Sequence, residues 1–290
     1  MCILSGRGVY TLTLDSDAGH AGRLQISPSG TSSRQGHRPC FQHGAAVPGC
    51  IQLPLVCSST TQSLDIRVAE AARALAALGL VDAFGHVSAR DVDHMVITPA
   101  ADLASVAASD CLRVPLAATA LPSGCPAEAW AHLALYQRYP ATGAIARAQP
   151  AASLAVGMRT DRVAPTHGQA CWLGDSIPVY PSALLVREAD RGRRLAEAMG
   201  AADAMILRGN GAIATGSDPA TAVAAMSVLA TACTVWLQMG GETAASLSAE
   251  EIRSWQAVKA ELLPRLGVHL LRKAAAGGGG GAGRGGGGGG

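Results

Sequence analysis

In the stretch PAEAWAHLALYQRYP, Glu128 and His132 stand four residues apart. On a helix that spacing puts a carboxylate and an imidazole on one face, one turn apart. Histidine titrates near neutral pH and a desolvated glutamate can be raised toward it, so the pair has the chemistry of a proton-transfer couple. A solvated ion pair has the same spacing. In GAIARAQP, residues 143–150, an apolar run leads into Arg147, Ala148 and Gln149 before Pro150. If the run is a strand, its side chains alternate faces, and Arg147 and Gln149 point the same way. A cation and an amide are then aimed together from the end of a core-like strand. In FGHVSARD, residues 84–91, Gly85 permits close backbone approach while His86, Ser88 and Arg90 alternate as polar groups. That pattern suits a substrate loop and equally a hydrogen-bonded turn. In LRGNGAIATG, Gly209, Gly211 and Ala214 satisfy G-x-G-x-x-G/A. The context refuses a dinucleotide site, because β-like residues follow instead of a helix and no acidic residue stands about 20 positions on. Asn210, between two glycines, reads as a polar residue carried on a tight turn.

These groups need elements to hold them. Ser63 caps a helix whose Leu64, Val68, Ala71, Leu75 and Leu78 keep helical spacing, with Gly79 as its stop. HMVITPA predicts a short strand ending at Pro99, and Pro126 predicts the first turn of a helix through Tyr139. TGAIARAQP and SIPVYP read as extended, and 185–199 as a helix stopped by Gly200. DAMILRGNGAIATG reads as strand, turn and strand. Asp218 and Pro219 open a long apolar helix closed by Gly240 and Gly241. Ser248 and Glu251 make a capping box for a final helix to Leu263. Helices alternating with strands predict an α/β fold.

Composition bounds the rest. The 290 residues are 49% hydrophobic, enough for one core of roughly 200–250 residues or two small ones. Residues 1–62 mix Gly, Ser, Pro, Cys and His without a sustained period and are expected to form a poorly structured arm. Residues 63–273 are expected to be one domain. The glycine-rich 274–290 cannot bury enough surface to offset its ordering entropy and is expected to be disordered. A net charge of +2 without a basic run leaves no footprint for nucleic acid. Residues 219–237 carry no charge, but their Ala, Thr and Ser content and lack of Lys or Arg flanks predict a buried helix and no membrane partner. The start lacks a basic region followed by a long apolar core, so no secretory signal is expected. Eight cysteines without a C-x-x-C pair predict reduced thiols and a cytoplasmic location.

Taken in order, ALGLVDAFGHVSARD, MVITPAADL, AEAWAHLALYQRYPATGAIARAQP and DAMILRGNGAIATGSDPATAV resemble the class II aldolase/adducin family over about residues 64–258. DAFGHVSAR together with HGQACWLGDSIPVYPSALLVREADRGRRLAEAMG is most similar to the branch that decarboxylates hydroxy-carboxy-muconic semialdehydes and dihydroxyphthalates. The resemblance implies a three-layer α/β/α fold with a largely antiparallel sheet, and a ring-like tetramer with active sites at subunit boundaries. It implies a divalent metal on three histidines and a glutamate acid/base, which falls on Glu128. The histidines do not carry over. The family's His-x-His pair falls on Arg147-Ala148-Gln149, and its third histidine, in an R-G/N-H-G turn, falls on Asn210. Arginine has no free lone pair and stays protonated, and the amide oxygens of Gln149 and Asn210 are poor replacements for imidazole at zinc. No metal cofactor is therefore expected.

The phosphate-recognition pattern of the sugar-phosphate aldolases is altered too, to Gly85-His86-Val87-Ser88 and Thr98-Pro99-Ala100-Ala101. A small carboxylated or aromatic-derived substrate is favoured over a sugar phosphate. Gly85, Ser88, Thr98, Arg147, Gln149 and Asn210 are its expected contacts, with Glu128, His86 and His132 as catalytic groups. Two functions follow: a metal-independent carbon–carbon lyase, or an inactive member with a binding or structural role like the adducin head. The lyase requires Glu128, Arg147 and Asn210 to converge on one cavity with room for a small acid; Arg147 buried against a carboxylate that closes the cavity favours the structural role.

Overall fold

The computed structural model describes residues 62–241 and 247–277, together with the backbone of three strands near the N-terminus. The chain divides into two units, Met1–Ser58 and Ser59–Gly290. In the first, β1 (Cys2–Ser5), β2 (Gly8–Leu14) and β3 (Leu24–Pro28) pair antiparallel in that order. Apart from these strands, the expected arm over 1–62 lies outside the described residues, as does the tail beyond Gly277.

The second unit opens with α1 (Leu64–Ala77), where the Ser63 hydroxyl accepts from the Ile66 N–H and Val68, Ala71 and Leu75 are buried. Next come β4 (His86–Asp91), β5 (His94–Ile97) and β6 (Leu112–Pro115), then α2 (Ala129–Arg138) and β7 (Ala144–Ala148). After them lie α3 (Ala151–Gly157), β8 (Arg162–Val163), β9 (Ile177–Tyr180) and α4 (Ala189–Met199). The chain finishes with β10 (Ala204–Leu207), β11 (Gly211–Gly216), α5 (Pro219–Gln238), α6 (Ala249–Ala257) and α7 (Lys259–Gly277).

Eight strands form one sheet in the order β6-β5-β4-β7-β11-β10-β9-β8. Every pairing is antiparallel except β10 with β9. Strand alternation sorts its two faces. Val87, Ala89, Ala144, Ala146, Ala148, Ala212 and Ala214 share a core with α1, α3, α5 and α7. Ile97, Ile145, Met205 and Ile213 share a second core with α2 and α4. The first face is floored by alanine, so α5 can pack on it closely through Ala222, Ala224 and Ala225. This arrangement is the expected three-layer α/β/α architecture with a largely antiparallel sheet.

α5 is long and apolar enough to cross a membrane by length and composition, but Val223, Met226, Leu229, Ala232 and Trp236 bury it in this core. Its start is as expected, with the Asp218 carboxylate accepting from the Thr221 N–H at 2.9 Å and Pro219 in the first turn. Three boundaries move. The expected helix 185–199 begins only at Ala189, leaving 181–188 as a loop. The expected final helix breaks at Val258 into α6 and α7, and α7 carries Ala274–Gly277 as helix. Regular helix after Pro126 starts at Ala129, with Glu128 as its N-cap.

Candidate active site

The middle of the sheet positions the site. β7 lies between β4 and β11, with Arg147 opposite His86 on one side and Ile213 on the other. Directly opposed residues of antiparallel strands share a face, so His86 and Arg147 project to the same side. Gln149 follows Arg147 by the two-residue period. The β10–β11 turn supplies Asn210 between Gly209 and Gly211, at φ of 63° and 95°. A Cβ on Gly211 would stand 2.3 Å from the Ala148 carbonyl oxygen, so glycine lets this turn lie flush against the end of β7. At Gly85 a Cβ would meet Val81 Cγ1 at 2.7 Å and the Arg147 carbonyl oxygen at 3.0 Å, which keeps the entry of β4 against the same strand. The N-terminus of α2 brings Glu128 over this point.

One nitrogen organises the cluster. Arg147 Nη2 donates to Asn210 Oδ1 at 2.7 Å and to the Asn210 carbonyl at 3.0 Å, and lies 3.2 Å from Glu128 Oε2. Asn210 Nδ2 donates to Glu128 Oε1 at 3.2 Å, and Gln149 Nε2 to Asn210 Oδ1 at 3.4 Å. His86 Nε2 is 3.9 Å from Glu128 Oε2, beyond hydrogen-bond reach. Arg147 is 2% exposed, and its Nε and Nη1 have no partner among the described residues.

These groups line a cavity of about 490 Å³. Of the expected site residues, Gly85, His86, Glu128, Arg147, Gln149 and Asn210 meet there. Ser88, Thr98 and His132 do not line it; they are buried beneath or beside it. Thr98 ties β4 to the end of β5, its Oγ1 accepting from the Val87 N–H at 3.2 Å and its N–H donating to the Val87 carbonyl. The expected Glu128–His132 pair is also absent as a direct contact. Glu128 sits at the N-cap, and the His86 ring stands between the two, with its Nδ1 3.4 Å from His132 Nε2. Phe84, Asp102, Leu185 and Arg187 also line it, although no local pattern marks them for it. Phe84 is 71% exposed. Arg187 and Leu185 come from the loop before α4, which the sequence pattern assigns to helix; Glu188 is its N-cap.

Burial sets the charge states beneath the cavity. It lowers His86 well below the ordinary histidine value, with His132 and Arg147 adding to the effect. It lowers His132 to about 3, again with Arg147 contributing. The Arg147 guanidinium is lowered by burial while Glu128 opposes the change. Burial thus favours the neutral form of both imidazoles at pH 7, and His132 is fully buried outside the cavity lining. The sign for stability follows. Below the ordinary histidine value of about 6.5 the unfolded chain binds protons that the fold refuses, so stability present above that pH is lost on acidification. Each histidine is expected to contribute a slope of about 1.4 kcal/mol per pH unit below pH 6.5, continuing for His132 down to about 3. Urea midpoints at pH 7.5 and 5.5 check this; a His132→Asn variant that folds should show a smaller acid loss.

Burial keeps the thiols among the described residues protonated at neutral pH. Among the described residues Cys111, Cys125, Cys171 and Cys233 are free, and burial pushes Cys111 and Cys125 up to about 11 and Cys233 to about 12.

An alanine-floored mixed sheet between two helical layers, with a carboxylate, a guanidinium and a turn asparagine meeting at the end of its central strand, places the chain among proteins of class II aldolase architecture. The profile of the Class II Aldolase and Adducin N-terminal domain matches residues 66–237, and the chain belongs to that family. The L-fuculose 1-phosphate aldolase from Glaciozyma antarctica has a TM-score of 0.62 at 19% identity, covering 73% of this chain and 88% of that one. An aldolase II superfamily protein from Pseudomonas syringae gives 0.62 at 19% identity, covering 73% and 92%. The l-fuculose-1-phosphate aldolase from Thermus thermophilus gives 0.55 at 25% identity, covering 60% and 93%. No curated protein sequence matches the chain.

The divalent metal that the family resemblance implies does not fit these residues. At the three positions where ligands are implied stand Arg147, Gln149 and Asn210. The guanidinium lies 2.7 Å from Asn210 Oδ1 and 3.2 Å from Glu128 Oε2, so the oxygens a cation would need are already bonded to one. Arginine itself offers no lone pair. Among the described residues no group of three or more His, Cys, Asp or Glu is arranged to hold a metal ion.

Proposed function

We propose that this chain is a carbon–carbon lyase, decarboxylase-like or aldolase-like, acting on a small carboxylated carbonyl compound, with Arg147 in the role a divalent ion plays elsewhere in the family. The carrying observation is the convergence of Glu128, Arg147 and Asn210 on one cavity of about 490 Å³, room enough for a small acid. In decarboxylation beside a carbonyl, the bond to the carboxylate carbon breaks and carbon dioxide leaves. The electron pair passes into the carbonyl to give an enolate, and a proton returns to carbon. In retro-aldol cleavage a base takes the hydroxyl proton, the carbon–carbon bond breaks to release an aldehyde, the electron pair gives an enolate of the remaining fragment, and a proton returns to carbon. Either way negative charge grows on one oxygen, and preorganised donors aimed at that oxygen lower the barrier. Arg147 Nη2 is such a donor, and Gln149 stands beside it. Arg147 Nη1, buried and unpartnered among the described residues, is a donor whose desolvation a bound oxyanion would compensate. An anion taking Nη2 competes with Glu128, which then carries the proton to or from the substrate.

The chain acts in this reading as a cytoplasmic homotetramer on a small molecule, with neither nucleic acid nor membrane as partner. A second reading, an inactive binding member, is favoured by one observation: Arg147 is almost wholly buried and already neutralised by Glu128. A panel of small carboxylated semialdehydes and hydroxylated aromatic acids, assayed for release of carbon dioxide or aldehyde, separates the two. Turnover that scales with enzyme supports the lyase. Ligand-induced thermal stabilisation without turnover by any member supports the binding role.

A further inference from the structure

Four buried side chains form a line behind the cavity. Tyr136 OH is 2.8 Å from Ser88 Oγ, Ser88 Oγ is 2.7 Å from His132 Nδ1, and His132 Nε2 is 3.4 Å from His86 Nδ1. Tyr136 is 1% exposed, and Ser88 and His132 are at 0%. At the far end His86 lines the cavity, and its Nε2 makes no hydrogen bond among the described residues. The sheet and α2 dictate this line. Ser88 follows His86 by two along β4 and so shares its face, while His132 and Tyr136 are four apart on the helix covering that face.

Each member has one proton to give, since a neutral imidazole carries one N–H. The chain can therefore run in two directions. In one, Tyr136 donates to Ser88, Ser88 to His132 Nδ1, and His132 Nε2–H to His86 Nδ1. Every interior proton then has an acceptor, and His86 is left with Nε2–H facing the cavity and the Glu128 carboxylate. In the other, the Tyr136 hydroxyl proton has no acceptor, and a lone pair of His86 Nε2 faces the Glu128 carboxylate 3.9 Å away. A buried unpaired donor and opposed lone pairs are both costly, so the first direction prevails.

We propose that Tyr136, Ser88 and His132 are positioning residues that hold His86 as a neutral imidazole with its Nε2–H directed into the cavity, as a hydrogen-bond donor to the carbonyl or carboxylate oxygen of the substrate. The identity of that oxygen rests on the lyase reading; the direction of the chain does not. His86 is then an electrophile that polarises a carbonyl without being an acid, a role a neutral imidazole can fill. It works beside Arg147, its cross-strand neighbour. Burial keeps the ring neutral, and the charged or titratable groups facing it are Glu128, His132 and Arg147.

The test is nitrogen NMR on the full chain labelled at histidine, in the absence of substrate, with the His86 signals assigned by their loss in His86→Asn. The expected result is a single neutral tautomer for both rings at pH 7, protonated at Nε2 and unprotonated at Nδ1. Ser88→Ala removes the acceptor and donor at the middle of the line and is expected to turn the His86 signal into a mixture of tautomers. Tyr136→Phe, nearly isosteric, serves if Ser88→Ala does not fold. A His86 ring protonated at Nδ1 at pH 7, or a single Nε2–H tautomer unmoved by both variants, would overturn the proposal. Because the readout needs no turnover, the expected tautomer with an inactive protein would sink the lyase reading alone. The reversed tautomer in an active protein would sink the relay alone.

Discussion

Truncating Arg147 to alanine is expected to lower kcat/KM on an accepted carboxylated substrate by about 10²–10³-fold, the usual loss for one preorganised donor at a developing oxyanion. The side chain leaves the middle strand of the sheet toward the cavity, so the alanine variant keeps the β4–β7–β11 register. What it loses is the donor shared by Glu128 and Asn210. Arg147→Lys separates charge from geometry. A lysine restores a cation but not the planar fork, and a compact ammonium cannot reproduce donation to the Asn210 amide, its carbonyl and the Glu128 carboxylate together. Only partial recovery, by about tenfold of that loss, is expected of it. Steady-state kinetics on protein shown to be folded by circular dichroism is the check. Wild-type rates in Arg147→Ala would remove the guanidinium from the mechanism.

Glu128→Gln is expected to act through the other half of the ion pair. Glutamine keeps the oxygen that accepts from Asn210 Nδ2 but cannot carry a proton, so kcat should fall by about 10²–10⁴-fold, the range for general acid–base groups. KM should fall with it. Without the carboxylate 3.2 Å from Nη2, the guanidinium is free for the substrate anion, and binding tightens as turnover slows. A structural ion pair with no role in turnover predicts neither change. If Glu128→Gln raises KM and leaves kcat alone, Glu128 binds substrate and the proton comes from elsewhere.

Much of this arrangement is visible in the chain before it folds. The alternation in GAIARAQP predicts Arg147 and Gln149 on one side, and glycines around Asn210 mark a turn; both are local signals, and Arg147 and Gln149 do line one cavity although β7 ends at Ala148. The Ser63 and Asp218 caps likewise depend on residues within one helical turn. The fates of His132, Ser88 and Thr98 depend on something longer in range. Each looks like a polar group available for a ligand, yet α2 packed on the sheet turns Ser88 and His132 on one another, and Thr98 is spent on the Val87 backbone. No local pattern says which face a helix will cover. Arg187 escapes a sequence reading for a related reason. It follows an apolar run of helical composition, and its place at the cavity comes from a loop that stays unwound until Ala189.

The proposed lyase uses the Arg147 guanidinium in place of the divalent ion that the family resemblance implies. Its most direct test is turnover of an accepted carboxylated substrate before and after dialysis against chelator, with metal per chain measured on the same samples by elemental analysis. The expected result is metal well below one ion per chain and a rate unchanged by the chelator. A near-stoichiometric metal, with activity lost on chelation and restored by adding zinc or manganese, would contradict it.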